Sequence, residues 1–261
     1  MLATYALAPL LASLAATPTP SPSAELDAAT IVKKAMARNL FGLSGTAHAT
    51  MVIHTQRGEE KTRDLDVKLM RNAAGLQRAL ISFRSPVEVA GTAFLVLERP
   101  EGNPDQYLFL PALKKVRRIA AGQATDSFMG SDFTYLDLSP LPQGSANQVE
   151  YKKLANQDVG GQPAFVIEAI AKIPGSPYSK VITSIHRDHL VPLRIEFFDQ
   201  LGKPLKVVMM KKLKKVEGKL IPVEMEMRNQ QKNSWTTLAL NELNLKIKLS
   251  EEEFTPESLV Q

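Results

Sequence analysis

VITSIHRDHLVPLRIEFFDQLGKPLKVVMMKKLKKVEGKLIPVEMEMR, residues Val181–Arg228, alternates apolar and polar side chains between short turns. Val191, Leu193, Ile195 and Phe197 fall on one side of an extended chain, Arg194 and Glu196 on the other. Asp188-His189-Leu190 separates this run from Val181–Arg187. Gly202-Lys203-Pro204 leads into Leu205–Leu213. Gly218 then turns the chain into Ile221, Val223, Met225 and Met227, which alternate with Glu224, Glu226 and Arg228. A period of two belongs to a strand with one wet and one buried face. Turns this short join antiparallel neighbours.

The same pattern extends outward in both directions. Ala47, Ala49, Met51 and Ile53 alternate with His48, Thr50, Val52 and His54, and Gly58 marks a turn. Leu65, Val67 and Leu69 alternate with Asp64, Asp66 and Lys68, and Ala79, Ile81 and Phe83 continue before Pro86. Ala93–Leu97 (AFLVL) and Tyr107–Leu110 (YLFL) are apolar on both faces, which predicts mid-sheet positions beneath a covering element. Val149–Leu154, Ala164–Ala171, Trp235–Leu240 and the run Leu243, Leu245, Ile247, Leu249 complete the strands. About ten or eleven sequential antiparallel strands curl into a barrel or half-barrel. One apolar face per strand points to one shared interior. The tail EEEFTPESLVQ reads as a helical turn.

The chain starts differently. Residues 1–16, MLATYALAPLLASLAA, are apolar and end in small residues, with Ser13-Leu14-Ala15 fitting a signal-peptidase site. The expectation is export after removal of 1–16, although no Lys or Arg precedes the apolar run; a buried N-terminus is the alternative. Residues 17–23 form a Pro/Ser/Thr spacer, and 24–261 are expected to make one domain. Leu26, Ala29, Val32, Met36 and Leu40 recur at helical spacing, with Ser23 as a cap and Gly42 near the end. The 261 residues are 44% hydrophobic and carry a formal net charge of +5. This suits a packed core and anionic partners in general.

Leu108–Leu138, LFLPALKKVRRIAAGQATDSFMGSDFTYLDL, departs from the strand pattern. A basic run (Lys114, Lys115, Arg117, Arg118) precedes Phe128, Met129, Phe133, Tyr135 and Leu138, which sit among Gly, Ser and Asp. Aromatic residues in a loop or short helix are at rest only when they cover something. We read them as a lid over an apolar space, with Gly130 giving the bend and Ser131 or Asp132 capping; an ordinary buried loop is the alternative.

Leu108–Ile119 followed by Ser127–Phe133, with the helix and the run of strands, resembles the outer-membrane lipoprotein-sorting proteins of Gram-negative bacteria, the LolA/LolB-like periplasmic carriers. The resemblance covers most of the chain after Ala24. It implies a mainly β fold: an unclosed antiparallel β-barrel with an N-terminal helix and a mid-chain helical lid over an apolar cavity that holds acyl chains. It also implies work beside an inner-membrane transporter, for which the resistance-nodulation (RND) type is the expectation.

Methylene burial stabilises by ~0.8 kcal/mol each, so a sixteen-carbon chain gains on the order of 12 kcal/mol in such a cavity. Met51, Ile53, Phe83, Leu95, Phe109 and Met225 are the expected lining, and Met70, Met209, Met210 and Met227 add adaptable thioethers, unless these residues only fill core gaps. Lys114, Lys115, Arg117 and Arg118 are the expected contacts to lipid headgroups or an acidic partner; solvated edge charge is the plainer reading. Lys211-Lys212-Leu213-Lys214-Lys215 is a second run of the same kind.

Other functions find little support. The chain has no cysteine, so thiolate zinc sites, disulfides and attachment of lipid to an N-terminal Cys are excluded. Neither a Gly-x-Ser-x-Gly elbow nor a phosphate loop occurs, and His186-Arg187-Asp188-His189 meets no zinc spacing. The expectation is a monomeric periplasmic carrier or chaperone, not an enzyme, without cofactor or metal and without nucleic-acid partners. Its contacts would be lipid or lipoprotein acyl chains and, transiently, a membrane surface. The alternative is a periplasmic regulator or adaptor that binds a segment of another protein by strand addition.

Overall fold

The computed structural model describes residues 26–36, 43–139, 149–172 and 176–260. The leader-like 1–16 and the spacer 17–23 lie outside them. So do Ser23, expected as a cap, and the last turn expected for the helix. Helix α1 runs Ala28–Met36. Its cap is Asp27, whose carboxylate accepts hydrogen bonds from the Thr30 N–H (2.8 Å) and Thr30 hydroxyl (2.7 Å). These bonds hold the Asp27 carboxyl below the ordinary range.

Thirteen strands follow, where ten or eleven were expected. The first six are β1 (Gly45–His54), β2 (Glu60–Arg71), β3 (Gln77–Ser85), β4 (Ala93–Leu97), β5 (Asp105–Leu110) and β6 (Lys115–Arg118). The rest are β7 (Val149–Val159), β8 (Gln162–Ala171), β9 (Lys180–His186), β10 (Pro192–Phe198), β11 (Pro204–Val216), β12 (Lys219–Asn229) and β13 (Ser234–Asn244). All belong to one antiparallel sheet, ordered β6-β5-β4-β3-β2-β1-β13-β12-β11-β10-β9-β8-β7. The chain therefore draws two meanders that meet where the first strand pairs with the last. β6 and β7 are left as free edges, so the barrel is unclosed.

Alternation decides which side chains face the shared interior. On β1 every odd residue from Gly45 to Ile53 is buried except the glycine's missing side chain, and every even one is half-exposed. Met51 lies opposite Leu238 on one side and Arg63 on the other, and Ala49 opposite Leu240 and Leu65. These odd residues join Leu65, Val67, Leu69, Ile81, Phe83, Phe94, Val208 and Met227 in the main core on the concave face. The convex face of the same strands is polar: Asp66 accepts from Arg84 Nε at 2.6 Å and lies 3.3 Å from His48 Nδ1. At the seam a side chain on Gly45 would meet the Asn244 carbonyl oxygen at 2.4 Å, so close approach of β1 and β13 requires glycine there.

AFLVL and YLFL depart from expectation in position. As β4 and β5 they lie near a sheet edge. They are nonetheless covered on both faces: Phe94, Val96 and Leu108 point into the concave core. Ala93, Leu95, Leu97, Tyr107 and Phe109 point to the convex side and pack under the C-terminal segment through Phe254 and Leu259. That segment forms two 3-10 turns, Glu251–Phe254 and Glu257–Val260. The Ser250 N–H donates to Glu253 Oε1 at 3.0 Å, and Lys68 Nζ meets Glu253 Oε2 at 2.6 Å.

The hydrogen bond from Lys68, followed by that from Ser250, holds the Glu253 carboxyl below its ordinary value of 4.5. A carboxyl with a depressed folded-state pKa contributes stability that is fully present above the unfolded value and fades as pH falls past it. The protection of residues 250–260 against hydrogen exchange, relative to the intrinsic rate at each pH, is therefore expected to fall on acidification below about pH 4.5 before that of the central strands. Simultaneous loss of protection in both would show that the strap is not a separate unit.

Candidate functional site: the concave face and its plug

The covering segment belongs to the connection between the two edge strands. The chain leaves the sheet at edge strand β6 and re-enters at the opposite edge strand β7, and the described residues after β6 turn onto the concave face. The described part of this connection, Ile119–Ser139, forms a plug built of turns and carries no helix after the 3-10 turn Ala121–Gln123. The expected helical lid is corrected accordingly. Met129 and Gly130 both take left-handed backbone (φ 52° and 78°), which reverses the chain where a helix would continue it. The Phe128 N–H donates to the Phe133 carbonyl at 2.7 Å, and the Ser131 hydroxyl to the Phe128 carbonyl at 2.7 Å.

This tight reversal drives Phe128, Phe133, Tyr135 and Leu138 into the main core, with Met129 half-buried beside them. Phe128 is completely buried. Its ring centroid lies 5.7 Å from Phe83, 5.2 Å from Phe94 and 5.5 Å from Tyr135, the last edge-on. Over β1 to β5 the concavity is thus filled by the protein's own side chains. Of the expected lining, Met51, Ile53 and Phe83 are buried under the plug and Met225 is half-buried at its margin. Leu95 and Phe109 lie on the convex side, as does Met70, and so do not face the interior. AFLVL and YLFL are apolar at every position, so alternation could not tell their two faces apart.

Polar anchors that were not expected fasten the plug to both meanders. Gln106 on β5 donates to the Tyr135 carbonyl at 2.8 Å. Asp132, read as a helix cap, instead accepts from Thr236 Oγ1 at 2.8 Å and from the Ser234 hydroxyl on β13. Asp137 accepts from the Thr134 N–H (2.7 Å) and the Tyr178 hydroxyl (3.0 Å), and forms an ion pair with Lys206 on β11. The Lys206 and Asp137 side chains are 3% and 5% exposed. Lys206 Nζ also stands 5.1 Å from the Tyr178 ring and 5.2 Å from that of Phe197. Burial pulls the Lys206 ammonium below its ordinary value, against the opposing pull of Asp137. Burial and the Asp137 charge together push Tyr178 far up.

Another part of the concave face is only partly buried among the described residues. Helix α1 packs Ile31 and Ala35 onto Ile167 and Ile185 at the β7–β9 end. Between α1 and the plug, Val181 on β9, Ile195 and Phe197 on β10, Met210 on β11 and Met225 on β12 remain half-buried. Their register places Val181 opposite Phe197, Ile195 opposite Val208 and Met210 opposite Met225, a continuous apolar strip across four strands. At the usual strand spacing it is about 14 Å wide. Two other cavities, of about 220 and 350 Å³, have more polar surroundings: one around His48, Asp66, Lys68 and Arg84, the other around Arg71, Asn72, Lys248 and Glu251.

The four expected docking residues separate. Lys114 and Lys115 are exposed, Arg118 forms an ion pair with Asp105, and Arg117 lies by Tyr135, where it opposes the upward shift that burial imposes on the phenol. His186 and Ser131 are engaged by neighbouring groups. His186 Nε2 faces Gln162 Oε1 at 3.0 Å while Nδ1 accepts from the Asp188 and His189 N–H groups, and Ser131 binds backbone carbonyls. Among the described residues no group of three or more His, Asp or Glu is placed to hold a metal. None of their helices is long and apolar enough to cross a membrane.

The described residues form an unclosed antiparallel half-barrel whose apolar concave face is packed by its own mid-chain segment. A family model described only as an uncharacterized protein matches residues 75–261. The outer membrane lipoprotein-sorting protein domain from Vibrio parahaemolyticus is 30% identical, with a TM-score of 0.82 over 90% of this chain and 98% of its own. The chain belongs to the family of outer-membrane lipoprotein-sorting proteins. A DUF1329 family protein from Desulfovibrio piger shares the fold at 24% identity (TM-score 0.79; 89% of this chain, 98% of that one). So does a LolA superfamily protein from Nitrosomonas europaea at 16% identity (TM-score 0.71; 90% and 100%). A search of curated proteins finds no match.

Proposed function

We propose that the protein is a periplasmic carrier that binds acyl chains of lipids or lipoproteins on the concave strip and delivers them towards the outer membrane, alongside an inner-membrane transporter. The observation that carries this reading is the strip itself. Val181, Ile195, Phe197, Met210 and Met225 stay half-exposed between two covered regions, although each faces the interior of the curve. A hydrocarbon tail laid there removes apolar surface from water on both partners, at roughly 25 cal/mol per Å². Met210 and Met225, directly opposite each other, supply flexible thioether contacts that adapt to irregular chains. The plug forms one bank of this groove, so its displacement would lengthen the site, and affinity would then follow plug position. Membership of a lipoprotein-sorting family supports the same cargo class and favours binding over catalysis.

Native purification followed by lipid extraction and mass spectrometry is expected to recover acyl species, and a fluorescent fatty acid is expected to bind. Met210→Glu, at a half-exposed position, should weaken that uptake about tenfold or more while unfolding free energy changes by less than about 1 kcal/mol. Absence of co-purified lipid together with absence of uptake would remove the carrier reading. The adaptor reading draws on the free edge of β7, eleven residues long, which could accept a strand from another protein. Recovery of one stoichiometric polypeptide and no lipid in the same experiment would favour it.

A further inference from the structure

The two basic runs lie at opposite ends of the strands and differ in how many of their cations are engaged by described residues. β5 runs into the turn that bears Lys114 and Lys115 at the end of the sheet where β1 finishes. β11 runs to the other end, where β1 begins. There the β11–β12 hairpin parts from the strands beside it, β13 running on to Asn244 in pairing with β1. Pairing of β10 with β11 stops at Arg194 and Met209, and pairing of β12 with β13 stops at Glu224 and Ala239. The hairpin itself continues to Val216 opposite Lys219, closed by Glu217 and Gly218. Beyond Met210 its two strands pair only with each other.

Its sequence would not ordinarily keep four lysines in five positions all in water, because successive residues of a strand point to opposite faces. Two register shifts, between Met210 and Lys212 and between Lys212 and Leu213, break the alternation. Lys211, Lys212, Lys214 and Lys215 are all exposed, and Lys219 joins them across the turn. None of the five forms an ion pair with a described residue; the nearest acid in the turn, Glu217, is engaged by Lys246 at 3.5 Å. The ribbon is rooted, since Ile221 is fully buried and Val223 sits with it in the main core. Leu213, Val216 and Leu220 are half-buried between the lysines.

We propose that this lysine ribbon docks the protein on an anionic lipid bilayer surface. The geometry favours a diffuse surface over a shaped pocket. The cations are spread along both strands of the hairpin end, and the ammonium group is a compact, strongly hydrated charge with no fixed fork to match a single ligand. Each lysine brought close to an anionic leaflet strengthens association about fivefold, and the attraction decays within a Debye length. Five such charges give reversible attachment that leaves the concave strip and the opposite end of the sheet uncommitted. The β6 run, which sequence alone ranked first for this role, has two of its four cations already engaged by Asp105 and Tyr135. This inference does not depend on what the concave strip holds.

Vesicle sedimentation tests it with the full chain. Binding is expected to phosphatidylcholine vesicles containing phosphatidylglycerol at low salt, to be lost at high salt, and to be absent with phosphatidylcholine alone. The variant K211Q/K212Q/K214Q/K215Q should lose binding by about fivefold per lysine removed while its circular dichroism is unchanged. The corresponding arginine variant should retain binding, and K114Q/K115Q should bind as the parent does. The proposal is overturned if the parent ignores anionic vesicles at low salt, or if the four-glutamine variant binds them normally. Loss of binding in K114Q/K115Q instead, or capture of polyglutamate without capture of vesicles, would overturn it equally, the last in favour of an acidic protein partner.

Discussion

The Asp137→Ala variant is expected to unfold about 3–5 kcal/mol more readily than the parent chain in urea, because removing one member of a buried ion pair strands the other. Lys206 would stay buried among Tyr178 and Phe197 without its ion-pair partner, Asp132 being the remaining carboxylate that favours its charge, and the Tyr178 hydroxyl would lose its acceptor. Removing both charges is a different perturbation. Asp137→Leu combined with Lys206→Met should recover most of the loss, since apolar groups of similar volume replace a desolvated pair at little net cost. A double-mutant cycle separates the pair's coupling from the cost of each truncation. The single variant should also acquire a pH dependence. Burial already lowers the folded-state pKa of Lys206, and loss of Asp137 lowers it further. Between that value and the ordinary 10.5 the unfolded chain binds the extra proton, so stability of Asp137→Ala rises with pH across this window. A loss below about 0.5 kcal/mol, the range of an ordinary surface substitution, would show that the plug is not latched here.

Phe128→Ala is expected to cost about 3–5 kcal/mol, the range for emptying a large aromatic site in a close-packed interior. The ring touches Phe83 and Phe94 from the sheet and Tyr135 from the plug itself, so its removal leaves a void bounded by three aromatic faces. Phe128→Leu should lose markedly less, because most of the volume is kept. Denaturation midpoints at unchanged slope would identify the effect as lost packing rather than a changed unfolded state. Equal stability of the alanine variant would mean that the plug does not pack on the sheet at all.

Most strands were legible because their two faces differ in chemistry. Ala47-Ala49-Met51-Ile53 against His48-Thr50-Val52-His54 leaves one way to place a half-buried strand, and β1 alternates accordingly. β6 escaped because Lys115, Arg117 and Arg118 carry no core-facing residue, and its pairing with β5 rests on backbone hydrogen bonds alone on that face. β13 takes in Trp235–Leu240 and, past the register shift opposite Ala47–Ala49, Leu243, whereas Leu245, Ile247 and Leu249, expected in a further strand, lie beyond its end at Asn244. The cover over β4 was foreseen but its source was not: the tail that supplies it lies far along the chain, and its Phe254 and Leu259 are only two apolar residues among acids.

The site was legible in composition more than in geometry. Aromatic residues in a Gly/Ser segment announced burial, and Phe128, Phe133, Tyr135 and Leu138 are buried. How the segment is held could not be read, because Asp132 and Asp137 find their partners on β11, β13 and the loop before β9. An aspartate near a Gly-Ser pair looks like a helix cap until the fold brings Thr236 to it. A lysine inside an apolar strand, Lys206 before Val207 and Val208, was the available signal for a buried partner. The strip was half visible through Met225 and the methionine-rich strands, but only register shows that Met210 faces it while Met209, opposite Arg194, does not.

Because Thr46 lies opposite Asn244, the central rungs of the sheet are made by residues from near the two ends of the polypeptide. A ribosome delivers β1 early and β13 last, so the earliest strand emerges with one backbone edge and one greasy side waiting for the latest. Each meander can begin to assemble from sequential hairpins, but the two can zip together only after synthesis of the final strand. Contacts of such long sequence separation slow folding and leave intermediates prone to association. Shortening the chain before Asn244 should therefore trap a pair of half-formed meanders rather than yield a smaller version of the molecule.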